Sequence, residues 1–186
     1  MSPWLESGGA GRSARGALLT SVRFASPMFA GVFAGFLITV LVLELSMRDA
    51  GGAVYTQVRH IELVAMDALA TVTLVPALIV TATMTVRSYR NRTARRRLVA
   101  AALVLFALIV VVTAVVNLPI NADQRDWLPT TPPQDWAHIR DRWQLAHAVR
   151  TAAAVIAFGC LVVAETSGSR ARLSSPNPST HRSADG

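Results

Sequence analysis

From Asn117 to Arg150 the chain runs NLPINADQRDWLPTTPPQDWAHIRDRWQLAHAVR, set between one long apolar run and another. The stretch holds three of the four tryptophans and two of the four histidines of the 186-residue chain, with a cluster of arginines. Prolines interrupt its first half, and the second half has none after Pro133. On a helix, at about 100° per residue, Trp136, Arg140, Trp143, His147 and Arg150 share one stripe roughly 80° wide. Asp141 and Arg142 point elsewhere. Tryptophan, arginine and histidine aligned in this way do not make a core face, so the stripe is a candidate site.

The runs on either side set the class of protein. The chain is 52% hydrophobic and 16% charged, with mean hydropathy +0.41. A soluble domain carries about 25% charged residues. The apolar residues are concentrated into blocks rather than spread periodically, as membrane helices require. A net charge of +7 could mean nucleic acid, but the arginines flank apolar runs, where they set topology. No nucleic-acid partner is expected. Every basic side chain is arginine; there is no lysine. The single cysteine, Cys160, lies inside an apolar run and leaves no intrachain disulfide to form.

Outward from that stretch, the chain divides into four spans. Residues 1–24 read as a disordered basic tail with Arg12, Arg15 and Arg23. The run 27–47 is too long for a signal-peptide core and reads as an uncleaved first span. It carries Gly31 and Gly35, a small-residue face that permits close helix approach, and Glu44 near its end. Residues 48–60 read as a loop. The second span, about 61–86, contains Asp67 and Pro76, and Arg87 to Arg97 follows with six arginines in eleven positions. The third span, 98–118, is expected to stop at Asn117, Pro119 and Asn121. Asp135 is a plausible N-cap for a helix that starts at the membrane surface and runs unbroken into a fourth span, 148–165. Residues 166–186 read as a second disordered tail.

The expected fold is therefore all-α: a four-transmembrane-helix bundle over 25–165, embedded in the lipid bilayer. An outward-facing loop and surface helix lie between helices 3 and 4. Arginines set the orientation. The two tails and the Arg87–Arg97 connector carry three, three and six, against six on the opposite loops. Both termini are thus expected on the cytoplasmic side of the cell membrane. This topology gathers Glu44, His60, Glu62, Asp67, Asn117, Asn121, Arg140, His147 and Arg150 into one half of the bilayer. Ionisable groups at that depth normally face the bundle interior and pair. A single polar pocket follows, in which Arg150 needs a carboxylate partner, Asp67 or Glu44.

Each candidate has a plainer role. The tryptophans could form an interfacial belt, the arginines could snorkel to head groups, His147 could be a bonded structural histidine, and the asparagines could only cap. A metal held by His60, Glu62, Asp67 and His147 would need converging ligands, and no H-E-x-x-H or E-x-x-H pair is present. Haem and flavin fingerprints, a phosphate loop and a nucleophile elbow are absent.

The order N-x-P-I-N, a downstream tryptophan, then D-W-x-x-x-R-x-R-W-x-x-x-H-x-x-R leading into an apolar helix resembles the anthrone oxygenase-like membrane proteins. The matching positions are Asn117, Pro119, Ile120, Asn121, Trp127, Asp135, Trp136, Arg140, Arg142, Trp143, His147 and Arg150. The resemblance covers roughly Pro27 to Glu165. It implies oxidation of anthrones to anthraquinones by dioxygen, without metal or flavin, since a deprotonated anthrone can itself reduce dioxygen. On that footing His147 is the expected base, and Arg150, with Arg140, the expected oxyanion partner. Trp136 and Trp143 would stack on the rings, while Asn117, Asn121 and Asp67 complete the substrate-binding set. No cofactor is expected, and the partners are the bilayer, a small aromatic substrate and dioxygen. The competing expectation is a non-enzymatic membrane protein that binds or moves a small aromatic or anionic ligand, or docks a partner.

Overall fold

A computed structural model describes residues 7–173, so the ends of both expected tails, 1–6 and 174–186, lie outside the described residues. Its elements are α1 (Ser7–Ser46), α2 (Gly52–Arg90), α3 (Arg96–Val112), a π-helical turn (Thr113–Asn117), α4 (Leu118–Arg125) and α5 (Trp136–Leu173). Four stretches are long and apolar enough to cross a membrane: Ala25–Ser46, Gly52–Arg90, Arg96–Arg125 and Trp136–Ser167. The protein is an all-helical, multi-pass membrane bundle. Among the described residues there is no strand, only an isolated bridge between Leu128 and Thr131.

Going around the bundle, α1 packs on α2 and α5, and α3 packs on the same two. α2 and α5 therefore stand diagonally opposite. Short connections force antiparallel neighbours. The shared core is built from small and aromatic side chains such as Ala30, Phe33, Ala77, Phe106, Ala154 and Ala157. Outward-facing Val42, Val64, Val72, Ile79 and Val104 stay exposed, as a lipid-facing surface would be. Of the two spaced glycines, Gly31 faces a neighbour: a Cβ there would lie 3.1 Å from the Phe158 ring. Gly35 has nothing within 4 Å.

The helices depart from expectation in three places. α1 is helical from Ser7, upstream of the apolar span that begins at Ala25. α2 starts at Gly52, not near residue 61, so the expected loop shrinks to a turn ending at Gly51, whose backbone is extended (φ −70°, ψ 159°). Residues 52–60 mix polar, small and apolar side chains and look like a loop only while the burial of Tyr55, Thr56 and Arg59 inside the bundle is unknown.

The third departure is at Pro119, where the helix does not stop. Leu118 donates its N–H to the Thr113 carbonyl, an i→i+5 bond that widens the turn ahead of the proline. Proline has no N–H to give and its ring crowds the preceding turn. At the first positions of α4, after a widened turn, neither property breaks the helix. The third span thus continues to Arg125. α5 starts as expected, the Asp135 carbonyl accepting the Ile139 N–H at 3.1 Å, and runs unbroken from Trp136 to Leu173, past the expected end of the fourth span at 165.

The loop before α5 folds onto the first turn of α2. A Cβ on Gly52 would sit 2.9 Å from Cγ of Pro132 and 3.0 Å from the Trp136 indole, both rigid. Alanine favours helix over glycine by about 1 kcal/mol. Overpacking opposes that with about 1–3 kcal/mol. We therefore expect Gly52→Ala to lower the unfolding midpoint in detergent, and a raised midpoint would show that the loop yields.

Candidate functional site

The polar centre of the bundle is Arg59, on α2 and only 2% exposed. A guanidinium has five N–H donors, and a buried one must spend them. Arg59 donates from Nε to Gln124 Oε1 (3.0 Å) and from Nη2 to Asn121 Oδ1 (3.0 Å). Its Nη1 serves two carboxylates, Glu44 at 3.0 Å and Glu62 at 2.6 Å. The cation also lies 4.2 Å from the Trp143 ring centroid. Around it, Gln144 Nε2 donates to Glu44 Oε2 (3.1 Å), and Gln124 Nε2 donates to the Tyr55 hydroxyl (3.3 Å). One buried cation thus ties α1, α2, α4 and α5 together.

Beside this cluster, Trp143 and His147 stack one helical turn apart, with ring centroids 4.8 Å apart and planes within 6°. The Trp143 N–H donates to Asn121 Oδ1 at 2.7 Å, which fixes the indole. His147 Nε2 lies 3.0 Å from the Leu37 carbonyl oxygen. A carbonyl only accepts, so Nε2 carries the hydrogen, and in the neutral ring the lone pair is on Nδ1. That atom is buried with no partner, as are Nε of Arg150 and Oε1 of Glu62. All three residues line one cleft, walled by Phe36, Val40, Leu63, Met66 and Trp143. It is a half-open cleft with a cavity volume of about 50 Å3, within about 400 Å3 of empty space that runs out into the surroundings. Buried polar groups are normally satisfied. Two acceptors and a donor left open on residues of one cleft make it the candidate site.

An anthrone oxygenase family model matches residues 61–160, more than half of the chain. The chain belongs to the anthrone oxygenase family. No curated protein and no solved structure matches it. The anthrone oxygenase match includes all three open atoms of the cleft but stops short of Glu44 and Arg59.

Of the residues expected at the site, His147, Arg150, Trp143, Asn121 and Asp67 do line the cleft. Asn117 is buried behind it and donates to the Trp143 carbonyl at 3.5 Å. Trp136 and Arg140 do not line it. The stripe they share with His147 is correct in direction, but its 14-residue length spans about 21 Å. Trp136 packs on Tyr55 at 5.7 Å, near the start of α2. Arg140 lies over Trp136, donates to Asp141 at 3.0 and 3.1 Å, and donates to the Arg48 carbonyl at 2.9 Å. The carboxylate partner expected for Arg150 is not made. Asp67 pairs with Arg125 at 2.6 Å and Glu44 with Arg59.

Three of the four side chains expected as possible metal ligands are also engaged elsewhere. His60 meets the Gln124 carbonyl at 3.1 Å, while Glu62 pairs with Arg59 and Asp67 with Arg125. Among the described residues no three His, Cys, Asp or Glu side chains cluster to hold a metal.

Sequence reasoning missed Arg59, Gln124, Gln144 and Tyr55. A signal for two of them existed. Tyr55, Arg59, Glu62 and Met66 recur at i, i+4, i+7 and i+11, a single helical stripe that extends α2 upstream of its apolar run.

Because Arg140 holds the loop rather than the cleft, Arg140→Ala should leave turnover per folded molecule at the wild-type level. It should lower stability by about 1–3 kcal/mol through the lost charged hydrogen bonds. Oxygen uptake and an unfolding curve on the same sample separate the two. A large fall in turnover with intact folding would return Arg140 to the reacting centre.

Proposed function

We propose that this anthrone oxygenase family member oxidises an anthrone-type aromatic ketone with dioxygen in the cleft, using no cofactor. The observation that carries the reading is the pair of open groups, the His147 Nδ1 acceptor and the Arg150 Nε donor, beside the stacked Trp143 ring. An anthrone has an acidic CH2 para-related through the ring to a carbonyl oxygen. Nδ1 removes one CH2 proton, and the resulting charge moves to the carbonyl oxygen, where Arg150 donates to it. Trp143, stacked on His147, holds the imidazole in place and walls the cleft.

The anion then transfers electrons to dioxygen, a carbon–oxygen bond forms, and His147 returns its proton to the peroxide. Loss of water leaves the quinone. The balance is one CH2 and one O2 to one C=O and one H2O, with no external reductant. A cavity volume of about 50 Å3 takes a few waters, not a tricyclic ketone. Binding therefore opens the cleft, and Met66, partly buried in its wall, is the adaptable side chain there.

The orientation belongs to the same reading. Six arginines, Arg87 to Arg97, sit at the bundle end opposite the cleft, and Arg95 pairs there with Glu165. Of the arginines counted on the cleft side, Arg59, Arg140 and Arg150 are buried and carry no loop signal. Discounting them strengthens a cytoplasmic connector and an outward cleft in the cell membrane.

The test is oxygen consumption by detergent-purified protein given emodin anthrone, against the spontaneous rate, with a chelator-treated sample alongside. Uptake that survives the chelator supports cofactor-free oxidation. Uptake lost with the chelator assigns the chemistry to a metal. No uptake above the spontaneous rate would replace the enzyme by the ligand-binding or partner-docking account.

A further inference from the structure

We infer that Glu62 is a second catalytic proton acceptor in the cleft, and that it takes the proton His147 cannot reach. The inference rests on the proposed oxidation and extends it. Turning CH2 into C=O removes two protons from one carbon, at different moments. The first leaves before oxygen adds. Its C–H bond must stand perpendicular to the ring for the electrons to enter the π system, so the base lies above one face.

Oxygen adds on that face, where protonated His147 can reach the peroxide. The carbon becomes tetrahedral, and its remaining hydrogen is turned to the opposite face. A base on that other side is then needed. It takes the second proton, the C–H electron pair becomes the new C=O bond, and the O–O bond breaks with hydroxide leaving. Hydroxide receives the proton from the second base and departs as water. Both bases end as they began.

Glu62 fits this requirement on three separate grounds. It projects from α2 and His147 from α5, the two helices that stand diagonally across the bundle. Glu62 lines the cleft, its Oε1 is buried and has no partner, and its Oε2 is held by Arg59 at 2.6 Å. The other nearby carboxylates are taken: both oxygens of Glu44 are bonded, to Arg59 and Gln144, and Asp67 is half-exposed on Arg125. Arg59 is a positioning residue here, aiming Oε1 by holding Oε2.

The experiment separates the two protons. Without oxygen, protein in D2O exchanges the anthrone CH2 hydrogens using the first base alone, and mass spectrometry reads the exchange above the spontaneous rate. With oxygen, quinone formation needs both bases. Glu62→Gln should keep anaerobic exchange within about twofold of wild type and lose about 10²–10⁴-fold in quinone formation. Substrate hydroperoxide should accumulate. His147→Ala should lose both activities.

A purely structural role for Glu62 would lower exchange and quinone formation together, and that result overturns the inference. So does quinone formation at the wild-type rate. If Glu62→Gln does not fold, Glu62→Asp keeps the charge for Arg59 and shortens the reach. It should show the same split, and equal loss of both activities again overturns the inference. A wild-type protein that catalyses neither step defeats the parent oxidation reading. A wild-type protein that catalyses both, with an unaffected Glu62 variant, defeats this inference alone.

Discussion

His147→Ala should lower catalysed oxidation of an anthrone by about 10²–10⁴-fold per folded molecule, the usual worth of a positioned general base. The fold should survive it. His147 touches the rest of the bundle through the Leu37 carbonyl and the Trp143 stack. An interior helix carbonyl keeps its own backbone bond when a side-chain donor leaves. Trp143 stays anchored by Asn121 at 2.7 Å and by the Arg59 cation. The variant should therefore purify as wild type does and show only the spontaneous rate of oxygen uptake. Arg150→Ala should reduce the same rate by a different route, because it removes the donor to the developing oxyanion. Full turnover in both variants would exclude His147 and Arg150 from the reacting centre, whatever else the cleft does.

Arg59→Met should have the largest effect on stability, a loss of about 3–5 kcal/mol. That is the range for removing one partner from a buried ion cluster and leaving charges uncompensated. The loss is large because the stranded groups are themselves buried: Glu44 is 0% and Glu62 4% exposed. Gln124 and Asn121 lose their donor at the same time. Unfolding in detergent, followed by circular dichroism against temperature or denaturant, measures the change. A companion carrying Arg59→Met, Glu44→Gln and Glu62→Gln removes the stranded charges along with the cation. It should recover much of the loss, since neutral replacements of a buried cluster are often tolerated. An unchanged midpoint for Arg59→Met alone would mean that water reaches the cluster and screens it.

Much of this architecture was legible beforehand. Four apolar blocks, an unbroken helix from Asp135 onward, and the inward stripe bearing Trp143, His147 and Arg150 all follow from period and length. What was not legible depended on contacts across the bundle. Arg59 precedes the apolar run, so composition places it in a loop. Only its partners on three other helices make burial tolerable and draw the helix up to Gly52. Pro119 reads as a stop because proline breaks a regular α-turn, and nothing local announces the wider turn that accommodates it. Arg140 looked equivalent to Arg150, ten residues away on the same stripe. Stripe membership fixes a direction from the axis but not a depth along it, and depth separates a loop anchor from a cleft donor.

The make-up of the Arg59 cluster also bears on how the chain is made. All three of its charges, Glu44, Arg59 and Glu62, belong to the first two spans. The groups that complete it from α4 and α5, Asn121, Gln124, Trp143 and Gln144, are neutral. Chains emerge amino end first at roughly 5–20 residues per second, so those later groups arrive seconds after the first hairpin. The nascent hairpin can already match cation to carboxylate on entering the membrane, without waiting for the rest of the protein. Ribosome-arrested chains that end after Arg97 should accordingly insert as a stable pair, and arginine removal should be felt at that early stage of synthesis.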